Sequence, residues 1–119
     1  MAKRVYVRNI NTSRLYLGPM TGDIITDFGD FKEMALGFVQ AIYTGQTEYK
    51  GTFRLLVSGR CEAETYAQLP GSEQTIDPTC PSVGWNLCCI GWRFLRVEYF
   101  ANGQANGNME IIALGKKGG

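Results

Sequence analysis

Apolar and polar residues alternate along several short segments of this chain, and this pattern predicts β-strands. In GTFRLLVSGR, residues 51–60, the apolar residues Phe53, Leu55 and Val57 recur at every second position, and WRFLRVEYF, residues 92–100, has a similar pattern. A period of two places successive side chains on opposite faces of a strand, so that one face is buried. The side chains predicted to point inward are Leu55, Val57, Leu95, Val97 and Ile111.

The whole chain contains several such segments, separated by turn residues. Strands are predicted over residues 4–8, 14–17, 52–58, 92–100 and 109–114, with a further short strand at Ile24 and Ile25 that ends near Phe28. Residues 9–13 are interpreted as a polar turn, and ANGQANGN, residues 101–108, as a long hairpin turn. Many short strands bounded by Gly, Asn and Pro are typical of an all-β, antiparallel β-sandwich.

Residues 31–44 are compatible with two structures. A helix is indicated by apolar residues at the spacing i, i+3, i+4, i+7 from Phe31 to Ile42, with Asp30 and Glu33 as a capping pair. A strand is indicated by Gly37 within the segment and by the β-forming residues of FVQAIYT. We favour a strand from Gly37 to Thr44, preceded by a helical turn, with the helix as the alternative.

The composition indicates one domain without a general affinity for nucleic acid or membranes. Its 119 residues, 45% hydrophobic and 12% aromatic, are enough for a single core, so one domain is predicted over residues 1–119. The formal net charge of +1 gives no overall field for nucleic acid or an anionic membrane. No apolar run reaches the ~20 residues that cross a bilayer. MAKRVYVRNI carries charges where a secretory signal needs apolar residues, which predicts synthesis in a cytoplasm.

The sequence contains no recognisable catalytic or metal-binding set. There is no histidine to act as a base for a nucleophile, and the four cysteines show no CxxC spacing. The acidic residues between Asp23 and Glu33 are not spaced as in a calcium-binding loop. We therefore predict that the protein is not an enzyme and binds no metal and no cofactor.

The cysteines and aromatic residues each allow a structural and a functional interpretation. Free, partly buried thiols are favoured, with a disulfide between Cys61 and Cys80 as the alternative. Arg93 and Arg96 are interpreted as structural hydrogen-bond donors. The larger aromatic residues are predicted to fill the core and its rim, and the alternative is a sugar-binding surface. The aromatic residues considered for that surface are Trp85, Trp92, Tyr99, Tyr43 and Tyr49.

Five segments together resemble a known group of proteins. They are VQAIYTG, GTFRLLVSG, LPGSEQTI, the pair WN with GWRFLRVEYF, and GNMEIIALGK. Their succession resembles small β-sandwich proteins, jelly-roll or discoidin-like, that are structural proteins of tailed double-stranded DNA bacteriophages. The resemblance covers roughly residues 37–117 and consists of strand edges and turns. The chain departs from the pattern at Gly59, Arg60 and Cys61, where an Asn or Asp turn is usual.

The resemblance implies a jelly-roll-like fold and a virion protein made in the host cytoplasm. For a sandwich without catalytic residues, the expected role is a capsid decoration, or cement, protein that binds the major capsid protein, as a homo-oligomer of two or three copies. The alternative is a carbohydrate- or receptor-binding module of a head or tail fibre. Residues 1–20 are a candidate N-terminal arm whose cations and tyrosines suit an interface. The predicted interface residues are Lys3, Arg4, Tyr6, Arg8, Arg14 and Tyr16.

Overall fold

The structure, a computed structural model, describes residues 10–88 and 90–116, and almost all of its regular structure is β. The described residues include a 3₁₀ turn at Ala63–Thr65, but they contain no helix long and apolar enough to cross a membrane. The strands are β1 (Ile10–Pro19), β2 (Ile24–Ile25), β3 (Gly29–Asp30), β4 (Leu36–Thr44), β5 (Thr52–Ser58), β6 (Ala67–Gln68), β7 (Gln74–Thr75), β8 (Ser82–Cys88), β9 (Phe94–Phe100) and β10 (Asn108–Lys116).

Two antiparallel sheets pack face to face as a single-domain β-sandwich, which confirms the predicted fold class. The four-stranded sheet has the order β1-β10-β4-β8. The six-stranded sheet has the order β2-β9-β5-β6, with β3 also paired to β9 and β7 also paired to β5. If β2 and β3, and likewise β6 and β7, are each counted as one interrupted strand, the order is that of a jelly roll.

The core lies between the sheets, and four of the five side chains that the period-two pattern predicted to point inward are fully buried. Leu55, Leu95, Val97 and Ile111 are each 0% exposed, as predicted, whereas Val57 is half-buried and packs against the core. Large rings fill the centre, because Phe53 contacts both Tyr99 and Trp85, with ring centroids 4.7 Å and 6.2 Å apart. The prediction that these aromatic residues belong to the core is therefore confirmed for Trp85 and Tyr99.

The strand interpretation of residues 37–44 is confirmed, and the helix alternative is wrong. Strand β4 lies between β10 and β8, and its side chains alternate, with Val39, Ala41 and Tyr43 buried. The turn before it is not the helical turn expected, because Glu33 has a φ of 64°; in this turn the Met34 N–H donates to the Phe31 carbonyl at 2.9 Å. Pairing on both sides satisfies the β4 backbone, and this outweighs the helical spacing of its apolar residues.

Three other expectations need correction. Residues 10–13 are not a turn but the start of β1, because their backbone pairs with residues 113–116 of β10. Residues 101–107 are not a hairpin turn, since β9 and β10 belong to different sheets and this segment crosses between them. Strand β8 was not predicted, although it forms one edge of the four-stranded sheet. In each case the partner strand, rather than the local pattern, determines the conformation.

Buried polar groups join the loop before β7 to the core, and this leads to a first prediction. Ser72 is 3% exposed, its Oγ accepts from the Leu55 N–H at 3.0 Å, and its carbonyl accepts from the Trp85 indole at 2.6 Å. Changing Ser72→Ala leaves the Leu55 N–H without its side-chain acceptor, so we expect a loss of about 1–2 kcal/mol in the free energy of unfolding. Urea unfolding measures this loss. The exposed Ser13→Ala should cost less than about 0.5 kcal/mol, and equal losses would contradict the argument.

Candidate binding surfaces

The predicted interface arm is described only in its second half. Lys3, Arg4, Tyr6 and Arg8 lie outside the described residues, as does the predicted strand over residues 4–8. Arg14 and Tyr16 lie on β1, where the Arg14 Nε donates to Glu110 at 2.9 Å and the Tyr16 hydroxyl donates to the Pro19 carbonyl at 2.6 Å. The part of the candidate arm from Ile10 to Pro19 is therefore an edge strand of the sandwich.

A bulge in β1 determines which of its side chains reach the surface. The register with β10 shifts between Arg14 and Tyr16. As a result Leu15 is buried and Tyr16 packs partly against the core, although the two are neighbours in the sequence. Arg14 and Leu17 are left exposed, and Leu17 is one of the most exposed large apolar residues, at 61%. The bulge thus adds an apolar residue to the outside of the sheet.

The acidic residues around β2 and β3 have structural partners. The Asp23 carboxylate accepts from the Ala101 N–H at 2.8 Å. Asp30 accepts two hydrogen bonds from the Arg93 guanidinium, at 2.9 Å and 3.0 Å, and these bonds hold the pKa of Asp30 below its usual value. Within residues 10–88 and 90–116, no three His, Cys, Asp or Glu side chains are grouped as metal ligands. These carboxylates fix loops, and Arg93 is the structural donor that the sequence predicted.

The cysteines differ in exposure from the expectation. Cys61, Cys80 and Cys88 are free and exposed rather than partly buried, so the alternative disulfide between Cys61 and Cys80 is absent. Cys89 lies outside the described residues. Cys88 is the last residue of the edge strand β8, where its side chain faces away from the core. These thiols are therefore accessible to reagents.

The aromatic residues considered as a sugar-binding surface do not lie together. Tyr43, Trp85 and Tyr99 are buried, at 2%, 7% and 0% exposure. Tyr49 is 39% exposed on a loop, and Trp92 is half-buried against Phe31, with ring centroids 5.2 Å apart. No sugar-binding platform made from this set exists.

The outer face of the four-stranded sheet carries an unusual number of apolar side chains. Outward positions of β4 and β10 lie opposite one another, for example Phe38 with Leu114 and Gln40 with Ile112. Leu17 on β1 lies on the same face, where Glu110 separates it from Ile42 on β4. We call this surface the apolar face, and it consists of Leu17, Leu36, Phe38, Ile42, Ile112 and Leu114.

One end of the apolar face is concave, and polar pairs lie beside it. A groove of about 230 Å³ is lined by Leu36, Gly37, Phe38, Leu114, Gly115 and Lys116. Nearby, Arg14 pairs with Glu110, and the Gln40 amide donates to the Ser82 hydroxyl at 3.1 Å. Sequence reasoning missed this surface because runs such as EIIAL do not alternate, and a strand that is apolar on both faces shows no period of two.

The outer face of the six-stranded sheet has a different character. Arg54 pairs with Glu98 at 2.6 Å, donates to Gln68 at 2.9 Å and lies over the Phe100 ring at 5.1 Å. The Arg96 guanidinium lies over the Tyr66 ring at 5.1 Å. Arg54 is thus bonded to its neighbours, whereas the Arg96 Nε and the Tyr66 hydroxyl are buried and make no hydrogen bond of good geometry with any described residue.

At one end of the sandwich, three loops surround an open cleft of about 380 Å³, which we call the end cleft. The Phe31 and Trp92 rings meet edge to face in its wall. Glu33 has a backbone φ of 64°, in the left-handed region that few residues other than glycine adopt. Polar and apolar groups are both present in the lining, which consists of Phe31, Lys32, Glu33, Met34, Gly59, Ile90, Gly91, Trp92 and Arg93.

Comparison with known proteins finds similarity at the level of structure. No family model matches the chain, and no curated protein is similar to it in sequence. Among solved structures, it is similar to the crystal structure of the Yersinia pseudotuberculosis-derived mitogen, with 16% sequence identity and a TM-score of 0.49. The match covers 92% of this chain and 86% of the mitogen chain. At this level the similarity transfers no activity, partner or site to this protein.

Proposed function

We propose that this protein is a non-catalytic structural protein of a tailed bacteriophage, a decoration protein that binds the outer surface of the major capsid protein shell and stabilises it. The resemblance of its strand and turn segments to small phage β-sandwich proteins supports the setting. The jelly-roll order of its strands is compatible with that resemblance. In this proposal the protein is made in the host cytoplasm and acts on the virion surface.

The apolar face is the observation that carries the proposal. Leu17 is 61% and Leu36 is 45% exposed, and both lie on the outer face of the four-stranded sheet together with four half-buried apolar side chains. A contiguous exposed apolar patch bordered by polar residues is characteristic of a protein interface. Repeated over a symmetric shell, many modest interfaces of this kind add up to substantial stabilisation.

The interface arm and the oligomer belong to the same proposal. Lys3, Arg4 and Arg8, which precede β1 in the sequence, add positive charge that suits an acidic region of the coat surface. A dimer or trimer would place several apolar faces on neighbouring coat subunits at once, so that each binding event assists the next.

A capsid-binding assay tests the proposal. Capsids of the phage that produces the chain, stripped of bound accessory proteins, are incubated with purified protein, and occupancy is measured by cosedimentation and electron microscopy. We expect saturable binding by the wild type. Leu36→Glu should weaken it by about 30-fold or more, because a charge would be buried at the contact. The matched control is Ile25→Glu, an apolar residue of the other sheet that is 53% exposed, and it should bind like the wild type.

The outcomes of this assay are distinct. If the wild type does not bind, or if folded Leu36→Glu binds like Ile25→Glu, the apolar face is not the capsid contact. The arm is tested with glutamate at Lys3, Arg4 and Arg8, and a loss of occupancy with unchanged stability supports it as an anchor. Point changes are required because a chain that starts at Thr21 would also lack β1, which pairs with β10 along its length.

A further inference from the structure

The end cleft has a rigid frame that does not depend on a bound molecule. Asp30 and Arg93 form a two-pronged ion pair between the loops on either side. The Phe31 N–H donates to the Arg93 carbonyl, and the Arg93 N–H donates to the Ser58 carbonyl at 3.2 Å. These bonds join the three loops to one another, so a ligand would not have to order them on binding.

Its lining combines an apolar wall with unused hydrogen-bonding groups. The Trp85 indole N–H donates to the Ser72 carbonyl, whereas the Trp92 indole N–H makes no hydrogen bond within the part of the chain described. The Lys32 ammonium forms no ion pair with any described residue. No heavy atom lies within 4 Å of a Cβ built at Gly59 or at Gly91, so both glycines border open space.

The charges of the cleft indicate what kind of molecule would fit. Lys32 and Arg93 contribute two positive charges, and Glu33 with the adjacent Asp30 contributes two negative ones. Counted over the described residues, the cleft carries no net charge that would attract an ion. The backbone of Glu33 is in the left-handed region, and such conformations are concentrated at functional sites.

We propose that the end cleft binds a neutral pyranose sugar. Such a ring has a C–H face that can pack on the half-buried Trp92 ring, which is backed by the buried Phe31 ring, and it has hydroxyl groups that both donate and accept hydrogen bonds. The Trp92 N–H and the Lys32 ammonium supply donors to the sugar hydroxyl oxygens. The volume of about 380 Å³ is near the lower end of the ~300–1,000 Å³ typical of small-molecule sites, which suits one sugar unit. This site is separate from the apolar face and does not depend on a capsid role.

The two tryptophans of the chain provide a direct test. Protein labelled with ¹⁵N is titrated with the methyl glycosides of glucose, galactose, mannose and N-acetylglucosamine, and the two indole N–H signals are followed by NMR. We expect at least one of these sugars to shift the Trp92 signal with millimolar affinity, while the Trp85 signal stays in place. If none of them shifts the Trp92 signal at a sugar concentration of about 50 mM, the proposal is wrong, because any binding is then too weak to be millimolar.

Variants separate binding in the cleft from general contact with the surface. Trp92→Phe keeps a ring against Phe31 but removes the N–H, and Lys32→Met removes the ammonium; each should weaken binding about fivefold to tenfold, measured by saturation transfer to the sugar protons. The control is Lys50→Met, a lysine that pairs with Glu48 at 3.7 Å, and it should leave the affinity unchanged. Equal weakening by Lys32→Met and Lys50→Met would overturn the proposal, as would binding of methyl glucuronide alone.

Discussion

Replacing Gly51 with alanine is expected to destabilise the sandwich by about 3 kcal/mol or more, because the added methyl group has no space. A Cβ at Gly51 would overlap the ring and the hydroxyl of Tyr99. Tyr99 cannot move aside easily, since it is 0% exposed, its hydroxyl donates to the Met20 carbonyl at 2.8 Å and its ring packs on Phe53. Overlap with a fixed neighbour forces the two sheets apart or moves Tyr99 out of the core.

Urea unfolding followed by circular dichroism measures this effect. The matched control is Gly22→Ala, because no atom lies within 4 Å of a Cβ built at Gly22. That variant should stay within about 0.5 kcal/mol of the wild type. If Gly51→Ala were as stable as Gly22→Ala, the packing of Tyr99 described above would be incorrect.

Stability is also expected to fall steeply at alkaline pH. Burial, with a smaller contribution from the charge of Asp23, raises the pKa of Tyr99 to about 12 from its ordinary value of 10.0. Burial also raises the pKa values of Tyr43 and Tyr66. The folded state therefore favours the neutral phenol. The stability that the buried phenol contributes is complete below pH 10 and is lost as the pH rises from about 10 to 12. For Tyr99 alone this amounts to roughly 3 kcal/mol.

Two phenylalanine variants identify the tyrosine responsible. Tyr99→Phe should lower stability by about 1 kcal/mol at neutral pH, because the Met20 carbonyl loses its donor, and should reduce the alkaline loss. The Tyr43 hydroxyl is buried and makes no hydrogen bond of good geometry with any described residue. Tyr43→Phe should therefore be neutral or slightly stabilising at neutral pH. Urea midpoints between pH 8 and pH 12 measure both effects, and an alkaline loss unchanged in Tyr99→Phe would show that another group causes it.

The local pattern of polar and apolar residues predicted the strands that have one solvent-exposed face and one buried face. Leu95 and Val97 alternate with Arg96 and Glu98, so the inward positions of β9 could be identified without a structure. The residues Asn11 to Ser13 were interpreted as a turn because they are polar, yet they form part of β1, since β10 supplies their pairing. Backbone pairing from a distant segment does not appear in the local composition.

The candidate binding surfaces were predicted less well than the fold. The apolar face depends on which side of β10 is covered by the other sheet, and Ile111 and Ile112 look alike in the sequence although one is buried and the other half-exposed. The end cleft brings together residues from three separate loops, so Phe31 and Trp92 meet only after folding. The interface role of Lys3, Arg4, Tyr6 and Arg8 stays a prediction, because these residues lie outside the described part of the chain.

The position of β10 limits the order in which the protein can be assembled. This strand lies inside the four-stranded sheet, between β1 and β4, although it is the last described strand to leave the ribosome. Until it is synthesised, β1 has no partner and β4 has one open side, so native pairing of this sheet must finish after translation of residue 116. Because these contacts join distant parts of the chain, folding should be slow, and the incomplete chain exposes strand edges that favour aggregation.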